Sequence, residues 1–184
     1  MNASVSNSEE EVRTIGGGKD STRATSAIIA EGVLAGVIAA SAVAAVFLVV
    51  DVMAGEAFRT PRQLGAMLLG MFGAAPGSGD VATPLALYTL LHFVAFMGAG
   101  ILAAAIVQVT MKQPAAILLF VILFFAFEVV FTGFVAFLDV TSVGHVTPVQ
   151  VALGNVVASV AMALFFRARH PALRSIGRAL SAEE

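Results

Sequence analysis

The run AIIAEGVLAGVIAASAVAAVFLVV, residues 27–50, carries one charged side chain, Glu31. As a helix rising 1.5 Å per residue it would extend about 36 Å, enough to cross a hydrocarbon core of roughly 30 Å. Such a stretch is read as a membrane span. The rest of the chain agrees: 59% of the 184 residues are hydrophobic and only 12% charged, against roughly a quarter charged in soluble domains. The mean hydropathy is +0.95.

Three more apolar runs follow, at about 84–109, 114–138 and 148–166, each near the ~17–25 residues that a crossing needs. The expected fold is therefore all-α: a polytopic membrane four-helix bundle. Between the first two spans, TPRQLGAMLLGMFG has helical signals but is too short to cross. It is expected as a short helix at about 61–73, interfacial or re-entrant, with Leu64, Met67, Leu68 and Met71 on one side. Residues 1–26, rich in Ser, Thr, Gly and charge, have the composition of a disordered tail. Its length and its EEE run set it against a cleaved signal peptide. Residues 167–184 form a basic tail, whose arginines suit an anionic leaflet.

Lys and Arg fall mainly on one side of this topology: Arg13, Lys19 and Arg23 before the first span, Lys112 after the second, and Arg167, Arg169, Arg174 and Arg178 after the fourth. The other side has Arg59 and Arg62. The positive-inside rule places both termini in the cytoplasm, and the expected location is the cell's inner (plasma) membrane. Asp51 and Asp139 end their spans on the outer side, where a surface ion pair with Arg59 or Arg62 is expected. Glu31, in the first turn of its span, is expected to reach water.

Thr-Pro occurs at 60–61, 83–84 and 147–148, always on the outer side. Thr as N-cap with Pro at the first helical position marks helix starts, and Gln63 and Gln150 would complete capping boxes. Small residues recur at four-residue spacing: Gly32, Gly36 and Ala40 with Ala35 and Ala39 in the first span, and Gly154 and Ala158 beside Asn155, Ser159 and Ala163 in the fourth. Such rows let helix backbones approach closely. The third span carries phenylalanines around its circumference, as a helix facing lipid or an apolar partner would.

Polar side chains inside the spans are few and costly, so each needs a partner or a cavity. Counted from the outer ends, Glu128 lies roughly 15 Å deep, His92 roughly 12 Å and Asn155 roughly 10 Å. Tyr88 precedes His92 by one turn and Thr132 follows Glu128 by one turn. Tyr88, His92, Glu128, Thr132 and Asn155 are therefore the expected intramembrane polar cluster, with Glu128 clasping His92 between the second and third spans. The same residues suit a ligand or quinone pocket, a proton path, or a metal or haem site with His92 and Glu128 as candidate ligands. No cofactor is required by the pattern. With no cysteine, thiol chemistry, disulfides and Cys-held metal are excluded. A net charge of -2 without a basic stripe gives no basis for nucleic-acid binding.

The segments VVDVMAG, RTPRQLGAML and LYTLLHFVAFMGAG, within roughly residues 30–105, resemble small four-helix bacterial integral membrane proteins. That family has no assigned activity to carry over. The first functional expectation is a non-catalytic integral membrane protein, an accessory or assembly component whose partners are the bilayer and either other membrane subunits or its own copies. The alternative is a redox, metal, haem or quinone/small-ligand binding protein using His92 and Glu128. Transport ranks below both, since no inverted repeat or broken-helix pair is visible.

Overall fold

A computed structural model describes residues 3–74, 77, 79–113, 118–141 and 148–171, with side chains from Thr22 onward apart from Pro148 and several in the fourth helix. The chain forms α1 (Ala3–Met53), α2 (Arg59–Met71), α3 (Ala82–Lys112), α4 (Leu118–Thr141) and α5 (Pro148–Arg169). The described residues contain no strand. Three segments are long and apolar enough to cross a membrane: Thr22–Met53, Ala82–Lys112 and Val149–Arg169.

Helix α1 begins at Ala3, inside the tail for which composition predicts no fold. Once the apolar stretch has nucleated a helix, each further residue adds a hydrogen bond at low additional cost, so the helix extends past its hydrophobic part.

The α1–α3 seam organises the bundle. Gly32, Gly36 and Gly100 have no side chain because none would fit. A Cβ on Gly36 would lie 2.6 Å from the Met97 Cα, and one on Gly100 would lie 2.6 Å from the Gly36 amide nitrogen. The two helices thus run antiparallel with backbones in direct contact, the geometry that small residues four apart permit. Ala35, Ala103, Ala104 and Val107 fill one half of the seam, together with Phe166 from α5.

The two rows of α5 divide between neighbours. Gly154 sits under Phe47 and Val43 of α1, and Ala158 joins the buried cluster with Ala39 and Val43. Asn155, one position round from Gly154, faces α4 instead, where its amide meets Glu128. In α4, Phe124 meets Phe125 edge-on and Phe125 is exposed.

Helix α2 lies across the start of α3. Its closest contact is Gly65, where a Cβ would collide with the Pro84 backbone, and Leu64 beside it is buried. Met71, expected on the same side of the helix as Leu64, is exposed. Only a residue without Cβ lets α2 rest on the α3 backbone, which turns the packing face toward Gly65.

The Thr-Pro pairs do not cap their helices as the sequence suggests. Thr60 is the second residue of α2, and its amide and hydroxyl are bound by Asp51 at the end of α1. Thr83 is the second residue of α3, and its amide donates to Asp80 Oδ1 at 3.1 Å. That bond, with the Thr83 hydroxyl, holds the Asp80 carboxyl below its usual range. In both cases an aspartate outside the helix supplies the acceptor and stands at the positive end of the dipole. Thr147 lies outside the described residues.

Candidate functional site

Close backbone contact along α1–α3 places His92 against α1. Its Nε2 lies 3.1 Å from the Ala40 carbonyl, whose neighbouring methyl is too small to block the ring. A carbonyl only accepts, so Nε2 carries the proton and donates. Tyr88 stacks on the imidazole at 5.6 Å between ring centres, and Phe96 packs at 4.7 Å on the next turn. The polar residue that sequence depth assigns to Glu128 is therefore bound to a backbone carbonyl on the first span. A helix carbonyl keeps a second lone pair after its i+4 bond, and close helix packing exposes it to a donor across the seam.

Asp51 lies in the last turn of α1, a position unfavourable to a carboxylate on that helix alone. The chain turns back immediately: Gly55 at φ 85° and Phe58 at φ 63° are both left-handed, and α2 follows. This turn brings the N-terminus of α2 onto the Asp51 carboxylate. The Thr60 amide donates to Oδ2 at 2.8 Å and the Thr60 hydroxyl to Oδ1 at 2.7 Å, with Asp51 only 3% exposed. The surface ion pair expected for Asp51 is not what forms. Arg59 and Arg62 each lie 3.8 Å from Glu56, so the loop's own carboxylate takes both cations. The side chain of Asp139 lies outside those described.

Asp51, Thr60, Tyr88, Thr89 and His92 line one cavity of about 310 Å³ between α1, α2 and the first turns of α3. Val43, Phe47, Leu48, Phe58, Leu85 and Phe93 supply most of the remaining wall. An apolar chamber with a few converging polar groups is the usual construction of a small-molecule pocket, and this volume lies at the lower end of that range.

The expected five-residue cluster thus divides. Tyr88 and His92 belong to the cavity, whereas Glu128 accepts a hydrogen bond from Asn155 Nδ2 between α4 and α5. Thr132 stands one turn beyond Glu128 on α4. His92 and Glu128, proposed together as metal ligands, are each engaged on a different pair of helices. Among the described residues no three His, Asp or Glu side chains gather as a metal group, and His145 lies outside them.

Two site residues escape the sequence reading. Asp51 and Thr60 read as a span end and a helix cap, and only the reversal at 54–58 joins them. Glu31 does not reach out to water in the expected way. Its side chain is 13% exposed and accepts from His170 Nε2 at 2.7 Å, with Arg169 Nε at 4.0 Å. This contact ties the start of the apolar part of α1 to the end of α5, through residues 139 apart in sequence. The visible signal was an acid and a cluster of bases at the same end of two spans.

Comparison with family models, with curated proteins and with solved structures yields no match.

Proposed function

We propose that this chain is a non-catalytic, multi-pass inner-membrane protein that binds a small molecule in the cavity between α1, α2 and α3. In this reading α4 is a fourth crossing, since its 24 residues would extend about 36 Å. Both termini lie in the cytoplasm, following the Lys and Arg distribution. The cavity then lies toward the outer side, beneath the 54–58 turn and α2. The observation that carries the proposal is the convergence of Asp51, Thr60, Tyr88 and His92 on one otherwise apolar chamber. His92 and Tyr88 keep the binding role foreseen for them, while Glu128 passes to the framework.

The chain has no Trp, so Phe58→Trp introduces a single emission reporter on the cavity wall. A panel of small amphipathic molecules is titrated against this variant in mild detergent, with Ala44→Phe added to fill the chamber. Ligands that shift the emission in Phe58→Trp and lose their effect when Ala44→Phe is present support a binding cavity. Emission indifferent to the whole panel overturns it.

An assembly role is favoured by a different observation. Gly98 on α3 and Gly133 on α4 face open space, where another helix can approach the backbone closely. Gly98→Leu is expected to disrupt a complex isolated from native membranes if another helix docks there. Unchanged partners and stoichiometry would remove this reading.

A further inference from the structure

Resting on the cavity reading above, we infer that the ligand presents an organic ammonium head, with apolar groups beside it, to the cavity. Charge is the first reason. Asp51 is the carboxylate in the wall, and the lining contains no Lys or Arg. The nearby arginines, Arg59 and Arg62, are drawn to Glu56. A carboxylate has about four acceptor positions, and Thr60 uses one on each oxygen, so both oxygens retain capacity for a further donor. The α2 N-terminus offsets part of the Asp51 charge by its dipole, equivalent to about half an elementary charge, and leaves the remainder for a ligand.

The aromatic lining is the second reason. Phe47, Phe58, Tyr88 and Phe93 surround the same space. Rings attract a cation over their faces within about 6 Å, more strongly in a desolvated site. A neutral ligand would gain the apolar contacts but not the charge attraction, and an anion would be repelled by Asp51. The Asp51–Thr60 bonds orient the carboxylate before any ligand arrives, which reduces the ordering cost of binding.

The same head can come from a water-soluble amine or from an amino-headgroup lipid. Both offer the recognised chemistry.

The test uses the full-length protein in uncharged maltoside detergent and isothermal titration with three probes. Benzyltrimethylammonium and benzylammonium carry the charge. Neopentylbenzene replaces the quaternary nitrogen by carbon and is otherwise close in shape. The cations are expected to bind at least tenfold more tightly than the carbon isostere, and Asp51→Asn is expected to abolish that difference. Should Asp51→Asn fail to fold, Tyr88→Leu provides the second arm, with an expected loss of at least threefold for the quaternary probe. Displacement of bound benzyltrimethylammonium by phosphatidylethanolamine, with phosphatidylglycerol inert, would assign the lipid source; displacement only by soluble amines would assign the other. Equal binding of cation and carbon isostere overturns the cation inference but leaves the cavity reading standing. Failure of all three probes to bind overturns the inference, and the Phe58→Trp panel then decides the cavity separately.

Discussion

Gly100→Ala adds one methyl group where the α1 and α3 backbones touch. Its Cβ would stand 2.6 Å from the Gly36 nitrogen and 2.9 Å from the Gly36 Cα, and closer still to the Gly32 carbonyl oxygen. These are backbone atoms in the middle of a helix, so no side chain can swing aside. Ordinary contact begins near 3.4 Å, and α1 and α3 must therefore part by roughly 1 Å, a gap that forfeits a quarter to a half of the dispersion energy of the atoms involved. Overpacking a well-packed core costs about 1–3 kcal/mol. A rigid backbone obstacle belongs at the upper end, and about 3 kcal/mol corresponds to a fall in melting temperature of roughly 6–12 °C for a chain of this size. Separation also stretches the His92–Ala40 hydrogen bond, now 3.1 Å, beyond useful length. The control is Gly98→Ala, two positions away, where a Cβ meets nothing within 4 Å. That variant is expected to be neutral or slightly stabilised, by at most about 1 kcal/mol from helix propensity. Both variants are measured by circular dichroism melts in one detergent, with size-exclusion profiles before and after. Equal melting temperatures for Gly100→Ala and Gly98→Ala would refute the close α1–α3 approach and the placement of His92 that depends on it.

Glu128→Gln retains an acceptor for the Asn155 amide and is expected to melt within about 0.5 kcal/mol of the parent, whereas Glu128→Ala strands that amide at a cost of about 0.6–1.7 kcal/mol. If Gln were as damaging as Ala, the carboxylate charge itself would be required, as in a proton path. Asp80 has its folded carboxyl held below the usual value by Thr83, so its stabilisation is present above the unfolded carboxylate value near 3.8 and is lost as pH falls through the lower folded value. Asp80→Asn should accordingly flatten the acid limb of stability below the unfolded value of 3.8; an unchanged limb would show that the cap does not form. Phe58→Gly relieves a left-handed residue at φ 63° and should raise stability by up to about 1 kcal/mol while opening the cavity wall. A lower melting temperature in that variant would mean that the Phe58 ring contributes more through packing than its backbone loses through strain.

Apolar runs and small-residue spacing determined by themselves that this chain is helical, where its helices long and apolar enough to cross a membrane lie, and that Gly32 and Gly36 lie on a close-contact face. These are local properties. Desolvating a backbone in lipid forces a helix wherever a run is long enough, and a four-residue repeat marks a face whatever that face meets. The partners of the polar residues were decided only by the tertiary structure. Matching depths made His92 and Glu128 plausible mates, but depth fixes only height along the membrane normal and leaves the angle around the bundle open. The α1–α3 glycine contact turned His92 toward the Ala40 carbonyl, and the split of α5 between α1 and α4 gave Asn155 to Glu128. The left-handed reversal at Gly55 and Phe58 brought Thr60 onto Asp51 and closed the cavity. Each of these contacts depends on which helices are neighbours and how each is rotated about its axis, and both follow from packing the whole bundle at once rather than from any one segment's pattern.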